Sequence, residues 1–318
     1  MKIVVLDGYT LNPGDNPWTD IAQLGDLTVH DRTPGDQIVA RAAGAEVVLT
    51  NKTPLTAATL QALPGLKFIS VLATGYNVVD VSAARTLGIA VSNVPIYGTD
   101  SVAQFVFALV LDLCHHVALH SRLVHDGDWT RSVEFCFWKT PLIELTGLKM
   151  GVVGFGRIGR RVGQLANAFG MEVLACDTFR GETPPYSPFA WASLDDVFGR
   201  ADVVSLHCPL TSDNQGMVNR RLLGLMKKDA VLINTSRGGL VNESDLAAAL
   251  KDGKIAAAAV DVVSQEPINA ANPLLGAPNC LITPHIAWAT LSARKRLTRT
   301  TADNIASYIA GKPIHVVN

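Results

Sequence analysis

The chain has 318 residues, 48% of them hydrophobic and 17% charged, with a formal net charge of −1. That length fits two domains of roughly 100–200 residues each, and the composition excludes a disordered chain. A charge near zero, with no block of like sign, leaves no basic footprint for nucleic acid or an anionic membrane.

Short apolar runs, turns and helical patterns alternate along the chain. Runs occur at 2–6, 46–49, 66–72, 150–153, 172–175, 202–206, 230–233, 257–260 and 280–282. They are near-continuous, as in strands buried on both faces of a parallel sheet. Helical patterns at 159–168, 243–251 and 293–310 lie among them, and this alternation implies an α/β architecture. The opening run stops at Asp7 and Gly8, too early for a signal-peptide core. Residues 102–119 are apolar almost all round, which predicts a deeply buried helix. Gln104, Asp112, His115 and His116 interrupt them, which argues against a membrane span. Cys114, Cys136, Cys176, Cys208 and Cys280 are scattered and contain no C-x-x-C pair, as expected of reduced thiols in the cytoplasm.

The runs are followed in turn by Asn51-Lys52, Thr74-Gly75-Tyr76, Gly154, Asp177, His207-Cys208-Pro209, Thr235-Ser236-Arg237, Asp261 and Thr283-Pro284-His285. Ligands of open parallel sheets bind at the carboxyl ends of strands, so these residues outline one binding crevice. Any one of them alone is also ordinary turn chemistry.

Gly154-Phe155-Gly156-Arg157-Ile158-Gly159 fits G-x-G-x-x-G between a strand and a helix, the context a dinucleotide requires. The first glycine permits the tight turn, the second a close approach of pyrophosphate, and the third helix-on-strand packing. The helix start offers backbone N–H groups to the anion. Asp177 stands about twenty residues on, where a carboxylate accepts from ribose hydroxyls and repels a 2′-phosphate. NAD(H) is therefore expected over NADP(H), although Arg180 is near enough to soften the preference.

Hydride transfer to a 2-oxo acid needs a cation for the carboxylate and carbonyl, a proton donor, and a nicotinamide held against C2. Arg237 is the natural cation, since a planar guanidinium clamps paired oxygens. His285 is the natural acid/base, and Glu266 its partner, favouring the imidazolium form. Asp261 is placed to accept from the nicotinamide carboxamide. Each has a plainer reading: a surface arginine, a loop acid, a core histidine. Lys52 and Trp288 are candidates for the substrate wall, against a solvated lysine and a core tryptophan, and Trp138 is a weaker one. His115, His116 and His120 fall on one predicted helix, with His116 and His120 on the same face, but no metal motif supports them and no metal is expected.

These motifs together resemble the D-isomer-specific 2-hydroxyacid dehydrogenases. That family carries the central glycine fingerprint, N-x-x-R-G (here Asn234 to Gly238), D-V-x-x-x-E-P (Asp261 to Pro267) and T-P-H-I (Thr283 to Ile286). The resemblance covers nearly the whole chain. It implies Arg237, Glu266 and His285 as the catalytic set and the Thr74 and Gly75 backbone N–H groups as substrate-carboxylate ligands. It also implies two Rossmann-like or flavodoxin-like domains with an interdomain cleft. We expect residues 1–98 plus 288–318 to form the substrate domain and 99–287 the NAD domain. A homodimer built on the 102–119 segment and a D-hydroxy acid product are further implications. Residues 94–104 and 137–141 look most like glycerate dehydrogenases and hydroxypyruvate reductases. Gln104 and Asn242 stand where many relatives have acids, and Asn242 makes a good helix N-cap. Phosphoglycerate or phosphite oxidation on the same scaffold, or NAD sensing as a corepressor-like binding protein, are the alternatives.

Overall fold

Runs of three to five residues form the strands of two parallel sheets in a computed structural model describing residues 1–318. The chain divides into one unit of Met1–Gly98 with Trp288–Asn318 and a second of Thr99–Ala287.

In the first unit the strands are β1 (Lys2–Val5), β2 (Asp26–Val29), β3 (Val47–Thr50), β4 (Phe68–Val71) and β5 (Ala90–Ser92), in the order β2-β1-β3-β4-β5. Alternate residues of each strand feed opposite faces. Val4, Val48 and Ile69 point into one apolar layer, and Ile3, Val5, Val47, Leu49 and Phe68 into the other. Helix Leu291–Ile309 covers the second layer with Leu297 and Ile305, and Tyr308 stacks on Phe68 at 4.5 Å between centroids. Full burial of each such side chain stabilises by about 1.5–3 kcal/mol. The C-terminal segment closes the β5 edge: Val316 bridges Ser92, and the Asn318 side chain bonds Val91 N and Ile89 O.

The second unit holds β6 (Lys149–Val153), β7 (Glu172–Cys176), β8 (Phe189–Trp191), β9 (Val203–Leu206), β10 (Val231–Asn234), β11 (Ala257–Val260) and β12 (Cys280–Ile282). Their order, β12-β11-β10-β9-β6-β7-β8, reverses between β6 and β9. Helices Thr99–His115 and Arg157–Ala168 cover one face through Val106, Val110, Val162 and Ala166. Helices Leu194–Arg200, Arg220–Leu225 and Glu243–Lys251 cover the other through Val197, Leu222 and Leu246. A sheet wound in both directions from one point opens a crevice at its strand ends there. The glycine turn lies at that point, directly after β6.

Two expectations change. The helix expected through 102–119 stops at His115; His116 turns left-handed (φ 46°), and a second helix, Val117–His125, leaves at 51° to the first. His115 and His120 therefore lie on different helices, with His116 as the N-cap of the second. Nor is the segment apolar on every side in use: Gln104 and Ala108 are exposed, and Val117 is 66% exposed. No single helix is long and apolar enough to cross a membrane.

Candidate functional site

Two glycines of the turn are required by the fold itself, and the third borders open space. A side chain at Gly154 would meet Cys208 N at 2.4 Å, and φ there is +91°. At Gly159 it would meet Gly154 O at 2.1 Å, so helix and strand approach only because nothing intervenes. At Gly156 nothing lies within 4 Å. Helix Arg157–Ala168 starts with no side-chain cap, leaving its first N–H groups to an outside acceptor. The exposed Arg157 and half-buried Ile158 form its first turn.

Asp177, just past β7, accepts from Phe155 N at 2.5 Å with Oδ2 and from Phe179 N at 3.1 Å with Oδ1. Thr178 Oγ1 also donates to Oδ1 at 3.3 Å, so these bonds fix the carboxylate at the turn and leave acceptor capacity on Oδ2. Across the turn, the Thr235 hydroxyl is buried with no partner, whereas its neighbour Ser236 donates to Cys208 O at 2.6 Å. An uncapped helix start, open space over Gly156 and an orphaned hydroxyl suit a bound dinucleotide phosphate and ribose.

Not every residue of this set faces outward. The His207 ring turns back to Ser205, Nε2 to Oγ 2.8 Å, and burial pushes its pKa down to about 3. The backbone around His207, Cys208 and Pro209 forms the wall, and burial raises the Cys208 thiol to about 11. Asp261, 1% exposed, accepts from Thr283 Oγ1 (2.6 Å), Ile286 N (2.8 Å) and Ala287 N (2.8 Å). About one of a carboxylate's four acceptor positions is left for a carboxamide, so the main work of Asp261 is to hold the segment that carries His285.

His285 sits in the left-handed region (φ 57°), with its N–H shared between Asp261 O and Thr283 O. A non-glycine residue there costs of order 1–3 kcal/mol, and the bonds of Asp261 and Thr283 hold it in place. Its Nδ1 lies 2.7 Å from Glu266 Oε2, and Glu266 Oε1 accepts from Val263 N at 3.3 Å. With Nδ1 committed to the carboxylate, Nε2 is the nitrogen left for substrate. Arg237 is exposed; its guanidinium bonds only Ser236 O, 2.8 Å from Nη1, and no carboxylate pairs with it. The reading of Arg237 as a surface ion-pair arginine therefore falls away. The arginine turn also abuts the glutamate loop, since a side chain at Gly238 would meet Val263 C at 1.9 Å.

In the first unit, Asn93 Nδ2 donates to Thr74 O (2.7 Å) and Thr74 Oγ1 to Val94 O (2.8 Å). The backbone N–H groups of Thr74 and Gly75 have no acceptor in the chain. Asp7 gathers the N–H groups of Asn51, Lys52 and Thr53 at 2.5–2.8 Å, which leaves the Lys52 ammonium on a fixed loop. Trp288 is half-buried against the edge of Tyr97, 6.2 Å between centroids. Trp138 is 64% exposed. His120 spends both nitrogens locally, on His116 O (3.0 Å) and Lys139 N (3.1 Å). Residues that sequence reasoning passed over are Gly238, Glu243 and Ser264, which shape the glutamate loop; the glycine directly after Arg237 was the available signal.

Residues 107–287 match the family described as D-isomer specific 2-hydroxyacid dehydrogenase, NAD binding domain. The chain is 48% identical to a hydroxypyruvate reductase of Blautia hydrogenotrophica over the full length of both. It is 41% identical to a glycerate dehydrogenase of Methylorubrum extorquens, over 89% of this chain and 88% of that one. The solved TT0316 protein of Thermus thermophilus superposes with a TM-score of 0.86 at 32% identity, covering all of both chains.

Proposed function

Since this chain belongs to the D-isomer-specific 2-hydroxyacid dehydrogenases, we propose that it reduces hydroxypyruvate and glyoxylate to D-glycerate and glycolate with NADH. The observation that carries the reading is the 2.7 Å Glu266–His285 pair, with the glutamate's loop packed at Val263–Ser264 against Gly238, the residue after the unpaired Arg237. The names of the two curated relatives support the substrate, and the held Asp177 carboxylate supports NADH over NADPH.

Gly154, Gly156, Gly159, the start of helix Arg157–Ala168, Asp177 and Thr235 hold the dinucleotide, with Asp261 and the 207–209 and Ser236 backbone as its wall. When bound, the nicotinamide supplies a hydride to C2. Arg237 binds the substrate carboxylate and polarises the carbonyl, and the free N–H groups of Thr74 and Gly75 are further carboxylate donors. His285 gives a proton from Nε2 to the oxygen, while Glu266 holds the imidazolium charge and ring orientation. A 2-oxo acid, NADH and one proton thus become a 2-hydroxy acid and NAD. Lys52 and Trp288 are our candidates for the far end of the substrate. The protein works in the cytoplasm as a homodimer whose second copy covers the exposed Val117, Trp129, Val133, Phe135 and Trp138.

NADH oxidation followed with hydroxypyruvate, glyoxylate, pyruvate, phenylpyruvate and phosphohydroxypyruvate tests this, each repeated with NADPH and with His285→Gln. We expect fastest turnover on hydroxypyruvate or glyoxylate with NADH, reduced about 10²–10⁴-fold in the variant. Tight NADH binding with no turnover on any oxo acid would sink the proposal.

A further inference from the structure

Helix Glu243–Lys251 is capped by Asn242, whose Oδ1 accepts from Asp245 N at 3.1 Å. The cap leaves the first helical side chain, Glu243, free for other work, and that carboxylate turns away from its own helix. Its Oε1 accepts from Ser264 N (2.7 Å), and its Oε2 from Ser264 Oγ (2.7 Å) and Asn272 Nδ2 (3.0 Å). Ser264 stands two residues before Glu266 in an exposed stretch, 264–267. On the other side, Gly238 presses against the Val263–Ser264 peptide.

We propose that Glu243 is a positioning residue for proton delivery: its carboxylate clamps the 262–266 loop so that Glu266 meets His285 in one geometry. The inference rests on the reading of Glu266 and His285 as the proton-delivering pair. Hydrogen bonds to an ionised acceptor are roughly twice as strong as neutral ones, and all three of these go to the loop or to the segment that follows it. Released from them, the loop loses three charge-assisted bonds that anchor it two residues before the acid, whose own bonds to Val263 N and His285 then hold it to a looser support. A misplacement of about 1 Å at a catalytic group costs on the order of 10²-fold in rate, so a clamp one step removed from the chemistry is felt in kcat.

The test uses the full chain with NADH and hydroxypyruvate, comparing Glu243→Ala, Glu243→Gln, Ser264→Ala and His285→Gln. Glu243→Ala is expected to lower kcat roughly 10–100-fold, with the KM for the oxo acid and the Kd for NADH each within about threefold. The solvent deuterium isotope effect on kcat should rise, because proton transfer becomes slower relative to other steps. Glu243→Gln, which keeps one carbonyl acceptor, should recover most of the loss, and adding Ser264→Ala to Glu243→Ala should cost little more. If Glu243→Ala does not fold, Ser264→Ala alone must show the same kcat loss and isotope effect in smaller measure. An unchanged kcat and isotope effect overturns the clamp, as does loss of NADH affinity in step with kcat. Wild-type activity in His285→Gln would instead overturn the reading of the pair itself.

Discussion

A histidine whose ring is buried and neutral in the fold gives a stability slope that its neighbours do not. His207 is held down to about pKa 3 by burial, against about 6.5 when unfolded. Above that unfolded value neither state carries the proton and His207 is neutral in effect. As pH falls below it the unfolded chain binds a proton and the folded one does not, so stability drops by up to about 1.4 kcal/mol per pH unit. Urea denaturation between pH 7 and pH 4.5 should therefore show a steeper acid loss for wild type than for His207→Gln; parallel curves would show that the ring is not the cause. At this scale the sequence was most legible where chemistry restricts the residue type. The pairing of Glu266 with His285 was readable from motif spacing. The inward turn of the His207 ring was not, because a strand-end position leaves side-chain direction undecided. No role was read for Glu243, since its bonds to residues 264 and 272 span some 20–30 positions of sequence.

Among the elements, the central strands announced themselves and the marginal ones did not. β2, β5 and β8 were missed, and all three are sheet edges. β2 reads Asp-Leu-Thr-Val and is largely exposed, and β5 and β8 have three residues each. An edge strand is covered on fewer sides and needs no continuous apolar run, so the signal that found β3 or β10 is absent from it. The broken helix at His116 escaped for the opposite reason: the apolar pattern continues through a left-handed residue that no glycine marks. A non-glycine residue in that conformation costs about 1–2 kcal/mol, part of which glycine returns through its greater unfolded freedom. His116→Gly is accordingly expected to stabilise by about 0.5–1 kcal/mol, raising the thermal midpoint by roughly 1–4 °C. A lowered midpoint on calorimetry would mean that the His116 side chain contributes more than its backbone strain removes.

For the whole molecule, the apolar surface from Val117 to Trp138 sets the assembly prediction. Val133 is 99% and Phe135 86% exposed, and a groove of about 510 Å³ lined by residues such as Val124, Phe137 and Trp138 lies in the same segment. Sedimentation should find a dimer for wild type and a monomer for the double variant Val133→Asp with Phe135→Asp, with faster alkylation of Cys136 in the latter. A monomeric wild type would refute the assembly. The two-unit division has a consequence of another kind. Residues 288–318 supply helix Leu291–Ile309 and the segment that closes the β5 edge, so the first unit is built from both ends of the chain. On a ribosome, the first 98 residues emerge without the helix that covers one face of their sheet and wait while the second unit is made, roughly ten to forty seconds at ordinary elongation rates. The unit that is begun first is thus the unit that finishes last, and the open face of its sheet is where a nascent chain of this protein has most need of a chaperone.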